Sequence, residues 1–369
     1  MEQSKKVLVS GASFAGLVTA YWMNKLGYHV TVVEIGKGLK MGGTPVDIKD
    51  QTVDIVKRMG LFEKIKASRL KLERWEFKNA DDTTQRTLLQ RQPGDDWPDD
   101  EFEIERDVLL NMLFDLIKND VDFIFSNSIS SLQEKEDGID VVFKDGTQGE
   151  YALLFVCDGI HSTVRKIWFG PEARYSNFLG QYFSIAIVNK LLIDEGTLQL
   201  YSVPNKSIML NAHNQKTDIV FTFRPAEEIA YDYRNQEQHK DLILTHFKDV
   251  GWRATELQKE LLHSRSFYFD EFCQIKMSSW TKGRVALVGD AGYCASPAAG
   301  MGGSLAIIGA TALADTFDKR NGNYELAFEE YNRSLRPFID EVQTNALDML
   351  GKLLPRTEEE IEWRNEHGF

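Results

Sequence analysis

Cysteine, long apolar runs and net positive charge are all scarce in this chain of 369 residues. Its three cysteines form neither a CxxC pair nor a metal-ligand spacing, which excludes a disulfide scaffold and predicts no metal site. Acidic residues outnumber basic ones by 56 to 43, and the net charge of −13 argues against nucleic acid or an anionic membrane as a partner. No apolar run approaches the roughly 18 residues that cross a bilayer, and the N-terminus enters a strand without an apolar signal core. These scarcities predict a cytoplasmic globular protein.

The N-terminal residues have the pattern of a nucleotide-binding β–turn–α–β unit. Buried strands are predicted at Lys6–Ser10 and His29–Glu34, with a helix over residues 15–26 between them. The first turn reads GASFAG, a glycine fingerprint in which Ser13 replaces the middle glycine. Gly11 permits the tight turn, and Gly16 permits close packing of helix on sheet. We therefore expect a pyrophosphate at the helix N-terminus, with a plain strand–helix turn as the alternative.

An acidic residue at the end of the second strand indicates the kind of nucleotide. Glu34 occupies the position where a carboxylate accepts hydrogen bonds from ribose hydroxyls. Its charge repels a 2′-phosphate, so the pattern favours FAD or NAD over NADP. The cofactor-binding residues predicted in this unit are Gly11, Ser13, Phe14, Ala15, Gly16 and Glu34.

Two later motifs also place loops after buried strands. In LFVCDGIHSTVR (residues 154–165) a strand runs into Asp158; a turn with a helix N-cap is the alternative, and His161 is interpreted as a surface turn residue. In GRVALVGDAGYCASPAAGMGG (residues 283–303) a strand carries Asp290 to its C-terminal end, where open α/β sheets bind ligands. After a corner at Pro297, a glycine-rich turn opens a helix over residues 304–317. Its glycines indicate close approach of the backbone to a flat ligand: Gly300, Gly302 and Gly303.

The middle of the chain has a different character. Residues 175–275 contain short strand-like runs separated by Asn, Gly, Pro and Lys, which predicts an antiparallel sheet with one covered face. A helical pattern is predicted at residues 239–263, and helix returns from Tyr324 with an interruption at Pro337. The aromatic residues of the middle segment either suit a planar ligand or fill the core: Phe178, Tyr182, Phe183, Phe221 and Phe223.

In order and content, the motifs GASFAG, CDGIHSTVR and GDAGYCASPAAGMGG resemble those of the class A flavoprotein monooxygenases, the para-hydroxybenzoate hydroxylase-like family. The resemblance covers essentially the whole chain. Residues 42–47 (GGTPVD) and 104–109 (IERDVL) look like those of the tetracycline-degrading flavin monooxygenases within that family. Two motifs depart from the family pattern, because Tyr293 replaces a histidine, Met301 a glutamine and Ser304 an asparagine.

The resemblance implies FAD as cofactor and a role for several side chains. Glu34 would hold the adenosine ribose, Arg106 the FAD linker and Asp290 the ribityl–pyrophosphate section. Residues 297–303 would lie along the isoalloxazine ring, with Asp47 nearby, and Asp158 would serve FAD and NAD(P)H. For Arg106 the alternative is a surface ion pair with Glu103 or Glu105, which would contribute only about 0–1 kcal/mol.

The implied fold is α/β: a Rossmann-like FAD-binding domain with an inserted antiparallel-sheet substrate domain and a C-terminal helix. The predicted FAD-binding domain comprises residues 1–70, 100–174 and 276–330. Residues 71–99 and 175–275 are assigned to the substrate domain, and residues 331–369 to the C-terminal helical segment.

The implied activity is hydroxylation of a planar or aromatic small molecule, with a tetracycline-like compound as one candidate. NAD(P)H would reduce FAD as a transient partner, O₂ would add, and a flavin hydroperoxide would transfer one oxygen atom. Because the flavin performs the chemistry, no catalytic side chain is predicted. A flavin-dependent reductase or halogenase and a non-catalytic flavin- or ligand-binding protein are the alternatives, and the chain is expected to be a monomer or homodimer.

Overall fold

A computed structural model describes residues 5–91 and 95–369. Residues 1–4, at the start of the predicted FAD-binding domain, and residues 92–94, in the predicted substrate domain, lie outside the described residues. The strands are β1 (Lys6–Ser10), β2 (His29–Glu34), β3 (Val46–Lys49), β4 (Arg74–Lys78), β5 (Thr84–Leu89), β6 (Glu101–Ile104), β7 (Asp122–Phe125), β8 (Ile129–Glu134), β9 (Ile139–Phe143), β10 (Gln148–Tyr151), β11 (Leu153–Val156), β12 (Ser176–Val188), β13 (Thr197–Val203), β14 (Lys206–His213), β15 (Lys216–Phe223), β16 (Ser266–Ile275), β17 (Thr281–Lys282) and β18 (Val285–Leu287).

The helices connect and cover these strands, and two 3₁₀ turns lie at Glu172–Arg174 and Pro297–Ala299. They are α1 (Phe14–Lys25), α2 (Gln51–Arg58), α3 (Phe62–Ala67), α4 (Arg106–Asp115), α5 (Thr163–Trp168), α6 (Gln236–Phe247), α7 (Ala254–His263), α8 (Asp290–Tyr293), α9 (Gly302–Lys319), α10 (Tyr324–Leu353) and α11 (Glu358–His367).

The first large sheet is six-stranded, in the order β17-β18-β11-β1-β2-β7. All neighbours from β18 to β7 are parallel, with β1 between β11 and β2. The apolar residues Val7, Leu8 and Val9 of β1 are completely buried, as expected for a central strand that is covered on both faces. Since parallel strands end at the same edge, the loops after β1, β2, β11 and β18 meet there. The predicted parallel sheet is confirmed.

The second large sheet is seven-stranded, in the order β16-β12-β15-β14-β13-β4-β5. Its neighbours are antiparallel except β13 and β4, which run parallel. One face buries Tyr182, Phe221 and Phe223 against α6 and α7, so these three aromatic residues fill the core. The other face is covered as well, because Phe183 and Phe272 pack against Leu350 of α10 and the turn at Ala298. The prediction of one covered face is therefore wrong.

Two small sheets complete the strand pairing. Strands β10, β9 and β8 form an antiparallel sheet whose β9–β10 connection turns at Gly146, with φ of 86°. Strands β3 and β6 pair antiparallel and place Asp47 opposite Glu103. This pairing brings the segment after the first nucleotide-binding unit beside the start of α4.

The C-terminal segment differs from the prediction. Helix α10 continues through Pro337, because Leu335, Ile339 and Val342 stay buried along one side and outweigh the lost backbone hydrogen bond. A second helix, α11, follows, and its N-terminus is capped by Thr357, which accepts a hydrogen bond from the Glu360 amide at 3.2 Å. Within the described ranges, no helix is both long and apolar enough to cross a membrane.

Two other elements also differ from the sequence prediction in their boundaries. The helical pattern predicted over residues 239–263 corresponds to two helices, α6 and α7, separated by a break around Gly251. The strand predicted to reach Asp290 ends at Leu287, and Asp290 begins the short helix α8 instead. Asp290 is nevertheless close to the carboxyl edge of the parallel sheet.

Candidate active site

The turn between β1 and α1 is packed too closely for any side chain at two positions. Gly11 has φ of 102°, and a Cβ there would lie 2.4 Å from the carbonyl oxygen of Cys157. A Cβ at Gly16 would lie 1.8 Å from the carbonyl oxygen of Gly11. The two glycines therefore let α1 start directly at the end of β1 and beside the end of β11.

Helix α1 begins with amide groups that point out of the helix without an intrahelical acceptor. Among the described residues no side chain caps it, because the Ser13 hydroxyl instead accepts a hydrogen bond from Arg106 Nη2 at 3.1 Å. Ser13 has φ of −105°, a value that any residue adopts, so the serine in place of glycine causes no backbone strain. The helix end is thus open to an anion.

Glu34 ties the end of β2 to the glycine-rich turn. Its Oε2 accepts a hydrogen bond from the Ala12 amide at 2.8 Å, and its Oε1 accepts one from the Gly36 amide at 2.8 Å. Each carboxylate oxygen has a further lone pair that can accept from a ligand hydroxyl. The carboxylate is therefore oriented by the backbone before any ligand is present.

Arg106 turns inward at the start of α4. Its Nη1 donates to the carbonyl oxygens of Lys40 at 2.8 Å and Gly42 at 3.0 Å, and its guanidinium lies 5.2 Å from the ring centre of Phe14. The side chain is 18% exposed, and burial lowers its pKa. The alternative of a surface pair with Glu103 or Glu105 is wrong, since the acidic partner of Arg106 among the described residues is Asp107, with Oδ1 3.8 Å from Nη1, and Glu105 pairs with Lys216.

The second motif combines a helix cap with an unsatisfied carboxylate. Ser162 caps α5 by accepting from the Arg165 amide at 2.9 Å, as the N-cap alternative predicts. Asp158 Oδ2 accepts from the Val164 amide at 3.2 Å, while its Oδ1 is buried without a hydrogen-bond partner among the described residues. Burial raises the pKa of Asp158. Buried Arg165 donates to the carbonyl oxygen of Ala291 at 2.9 Å and so joins this motif to the third one.

The third motif abuts α1. A Cβ at Gly289 would lie 3.1 Å from the Ala15 Cβ, so Asp290, the next residue, is held beside the first turn of α1. Burial raises the pKa of Asp290 to about 6. A carboxyl group in such a place is stabilised by any ligand that donates hydrogen bonds to it.

The turn that follows carries positive φ angles and glycines. Ser296 and Gly300 have φ of 87° and 65°, on either side of the 3₁₀ turn at Pro297–Ala299. A Cβ at Gly303 would lie 2.5 Å from Val46 of β3, whereas one at Gly302 would meet no described atom within 4 Å. The start of α9 is therefore pressed against β3 on one side and open on the other.

Asp47 joins this arrangement through the backbone. Its carbonyl oxygen accepts a hydrogen bond from the Ser304 hydroxyl at 2.7 Å, and burial raises the pKa of its carboxyl group. The structure thus gathers the predicted residues around the N-termini of α1 and α9. The two open helix ends, the unpartnered Asp158 oxygen and the open side of Gly302 fit a ligand with a pyrophosphate, hydroxyl groups and a flat ring.

Sequence reasoning missed a network centred on Asp270 of β16. Asp270 accepts hydrogen bonds from His161 Nε2 at 3.0 Å, from the Tyr268 hydroxyl at 2.5 Å and from the Tyr231 hydroxyl at 2.9 Å. Burial alone would lower the pKa of His161, but Asp270 and Glu172 outweigh it and raise the pKa to about 9. His161 is in a turn as predicted, yet it joins the second motif to the seven-stranded sheet.

A second missed cluster lies where the β14–β15 hairpin meets β6. His213 Nε2 contacts Asp218 Oδ2 at 3.2 Å, and both side chains are buried. Burial, with the nearby Asp47 and Asp218 carboxylates, raises the pKa of Glu103 to about 7, although His213 opposes this shift. No local motif marks these residues, because they come from strands far apart in the chain.

The fold and this geometry define a class. The chain belongs to the FAD binding domain family, whose model matches residues 4–337. It is an FAD-dependent oxidoreductase of the monooxygenase type, as the family resemblance implies.

Similarity to individual proteins narrows the class. The chain is 35% identical over 346 residues to a flavin-dependent monooxygenase of Legionella longbeachae, covering 92% of this chain and 87% of that protein. It is 32% identical to tetracycline destructase Tet(51), with a TM-score of 0.87 over 98% of this chain and 94% of that structure. HpxO of Klebsiella pneumoniae, solved in complex with FAD and uric acid, is 20% identical to this chain. Its TM-score is 0.77 over 98% of this chain and 92% of HpxO, which shows a shared fold alone.

Proposed function

We propose that this monooxygenase takes electrons from NAD(P)H and uses O₂ to hydroxylate a planar or aromatic small organic molecule. The observation that carries the proposal is that two helix N-termini that no described side chain caps, those of α1 and α9, lie side by side, since a Cβ at Gly303 would lie 3.5 Å from Phe14 Cδ2. A tetracycline-like molecule is the first substrate to test, because of the 32% identity to tetracycline destructase Tet(51) over nearly the whole chain.

The residues around this space have distinct proposed roles toward FAD. The amides of the first turn of α1 bind the pyrophosphate, together with the turn formed by Gly11, Ser13, Phe14, Ala15 and Gly16. Glu34 accepts from the adenosine ribose, and Arg106 places a positive charge beside the same turn. Asp290 and the buried free oxygen of Asp158 accept from hydroxyl groups of the linker.

The flat part of the cofactor is assigned to the third motif. Pro297, Gly300, Gly302 and Gly303 provide backbone contacts that need no side chain, with Asp47 at the border. FAD, when bound, supplies the transfer of electrons from the nicotinamide to O₂. The N-terminus of α9 stabilises negative charge that develops at this position.

The substrate is expected on the side of the seven-stranded sheet that faces this turn. Phe183, Phe272 and Leu350 pack there against Ala298, and the ring of Tyr268 lies beside Phe183 at 5.7 Å between ring centres. Apolar side chains at this position exclude water from the reacting oxygen. Planar rings on this face also favour a planar substrate.

The nicotinamide cofactor is proposed to bind transiently, because the sequence contains a single fingerprint of the Rossmann type. A cytoplasmic enzyme is consistent with this supply of reductant and with the three free, buried cysteines. A monomer or homodimer remains the expected assembly.

Anaerobic reduction followed by aerobic turnover tests the proposal. The yellow protein should release FAD on acid precipitation, and NADH or NADPH should bleach its flavin absorbance. With O₂ and tetracycline, mass spectrometry should find a product one oxygen atom heavier, together with substrate-dependent NAD(P)H oxidation. Bleaching that yields only hydrogen peroxide with a panel of planar substrates contradicts hydroxylation, and absence of bleaching contradicts the use of NAD(P)H.

A further inference from the structure

Four ionisable side chains lie where the β3–β6 pair meets the β14–β15 hairpin: Asp47, Glu103, His213 and Asp218. Asp47 and Glu103 are directly opposite each other on β3 and β6. Side chains in such a pair lie on one face of the sheet, with Cβ atoms about 5 Å apart. The hairpin brings His213 and Asp218 close enough to act on the pKa of Glu103. The cluster therefore links the seven-stranded sheet to the strand that carries Asp47.

The hairpin pair contains two polar atoms without partners. His213 Nε2 and Asp218 Oδ2 are 3.2 Å apart, and the two residues are 6% and 0% exposed. His213 Nδ1 and Asp218 Oδ1 are buried and have no hydrogen-bond partner among the residues that the structure describes. Burial would lower the pKa of His213, but the hydrogen bond to Asp218 outweighs it and raises the pKa. Since unpartnered buried polar atoms cost free energy, proton chemistry explains this pair better than packing does.

Glu103 retains a proton near neutral pH. Its side chain is partly buried, and burial is the main reason that its pKa is raised to about 7. The carboxylates of Asp47 and Asp218 add to this shift, while His213 opposes it. A carboxyl group whose pKa lies near the working pH gives up and regains a proton readily.

The other charged groups lie at the border of this cluster. Burial raises the pKa of Asp47, and of its charged neighbours Lys49 lowers this pKa and Glu101 raises it. Glu105 pairs with Lys216 beside the hairpin tip, where the Lys216 side chain is 32% exposed. Polar side chains therefore continue from the buried cluster to solvent at this tip, where a proton can enter.

Asp47 also borders the proposed flavin site. Its backbone carbonyl accepts a hydrogen bond from the Ser304 hydroxyl at 2.7 Å, in the first turn of α9. At the same turn, a Cβ at Gly303 would lie 2.5 Å from Val46. The proposed function assigns this turn to the flat part of FAD. On that assignment, Asp47 lies between Glu103 and the flat part of the cofactor.

Oxygen chemistry at reduced FAD takes up one proton in each turnover. Hydroxylation breaks the O–O bond and forms a C–O bond: two electrons come from the anion of reduced FAD, two come from the substrate C–H bond, and one added proton completes the water. Without a substrate, the same anion passes two electrons to O₂, and one added proton completes hydrogen peroxide. A site that excludes water receives this proton from a side chain.

We propose that Glu103 holds this proton and delivers it through Asp47. The proton leaves the Glu103 carboxyl group for the Asp47 carboxylate, and Asp47 passes it to the oxygen atom that leaves as water or hydrogen peroxide. The His213 imidazolium, oriented by Asp218, then protonates Glu103 again and regains its own proton from solvent at the hairpin tip. Because Glu103 acts through Asp47, it is a positioning residue. The inference rests on the proposed function in assigning FAD to this turn.

Reoxidation of the FAD-loaded enzyme by O₂ tests this proposal without a substrate. The enzyme is photoreduced anaerobically and mixed with O₂ in a stopped-flow instrument at about pH 6 and about pH 8, on either side of the pKa of Glu103. The wild-type rate should fall about tenfold between these values, because the protonated fraction of Glu103 falls from about nine tenths to about one tenth. Glu103→Gln should be at least about tenfold slower than wild type at the lower pH and nearly independent of pH, because it has no proton to give.

Glu101→Gln is the matched control, since Glu101 is exposed on the same strand and its substitution removes the same charge. This control should keep the wild-type rate and pH dependence. Glu103→Asp restores a carboxyl group and should recover a pH-dependent rate, which a purely structural role of Glu103 would not produce.

Infrared difference spectra of the apoprotein at the same two pH values give a readout that is independent of catalysis. Wild type should lose a protonated-carboxyl band between them, and Glu103→Gln should lack this band. The proposal is overturned if Glu103→Gln reoxidises as the control does, or if the variant keeps the band. Hydrogen peroxide formation with the wild-type pH dependence, but without any hydroxylated product, contradicts the proposed hydroxylation alone. Failure to bind FAD contradicts both proposals.

Discussion

The two large sheets build their parts of the active site in different ways. In the proposed site, the parallel sheet contributes loops at its carboxyl edge, where glycines would bring the backbone to the cofactor and helix ends would provide charge. The seven-stranded sheet would contribute side chains from its face, such as Phe183 and Tyr268, with no glycine turn to mark them. Binding of a ligand by backbone groups constrains the sequence tightly, because only glycine fits the turns. Binding by side chains on a sheet face allows many residue types at each position.

The strongest test of this contrast is Gly16→Ala in the parallel-sheet unit. The added methyl group would meet the Gly11 carbonyl oxygen at 1.8 Å, so we expect a loss of stability of about 3 kcal/mol or more. Urea unfolding and FAD content of the purified protein measure it. Gly302→Ala is the control: its methyl group meets open space, so the unfolding midpoint should stay while FAD affinity falls. Equal midpoints for Gly16→Ala and wild type would refute the tight turn.

Arg106→Ala separates cofactor binding from folding. We expect FAD to dissociate about tenfold more readily, because the guanidinium bridges the turn at Ser13 and the carbonyls at Lys40 and Gly42. Flavin fluorescence during dilution measures the dissociation constant. Arg58→Ala breaks the exposed pair with Asp315 and should leave FAD affinity unchanged. If both variants behave alike, Arg106 has no role at the cofactor.

Glu103→Gln tests the place where the small β3–β6 sheet meets the β14–β15 hairpin of the seven-stranded sheet, because Asp47, His213 and Asp218 lie near this carboxyl group. The pKa of Glu103 is about 7 in the folded state, whereas its ordinary value is 4.5. Between pH 4.5 and about 7 the folded protein therefore keeps a proton on Glu103 that the unfolded chain has lost. The stability from this group is present below about pH 4.5 and is lost as pH rises through about 7.

The glutamine variant should therefore match wild type at pH 4.5 and be more stable by about 3 kcal/mol at pH 8. Urea midpoints at the two pH values measure the difference. Glu101→Gln, an exposed position on the same strand, should show no such pH dependence. A stability gain of the same size at both pH values would contradict the raised pKa.

Ser13→Gly should have the smallest effect, although it restores the complete glycine fingerprint. Because the φ of Ser13 is negative, glycine removes no strain, and only the hydrogen bond to Arg106 is lost. We expect FAD affinity to change by about threefold or less, which corresponds to less than about 1 kcal/mol. A tenfold gain in affinity would show that the serine obstructs the cofactor.

The flavin side of the molecule could be predicted closely from the sequence. Strand ends, turn glycines and helix starts lie within a few residues of one another, so local rules placed the motifs that contain Gly11, Glu34, Asp158 and Asp290. Errors there were small: Asp290 starts a helix rather than ending a strand, and Pro337 does not break α10. Helix α10 tolerates its proline because tertiary contacts along its buried side compensate, and local propensity does not include them.

By itself the sequence determined the dinucleotide-binding unit, since the geometry of such a turn depends on a few adjacent residues whose backbone angles and lack of side chains are local properties. The monooxygenase class came from the resemblance of three motifs to those of a known family. Only the tertiary structure decided which distant side chains meet. Asp270 and His161 are 109 positions apart, and Glu105 and Lys216 are 111 apart, yet each pair is in contact. Their partners are selected by strand register and sheet packing, which the order of residues along the chain does not reveal.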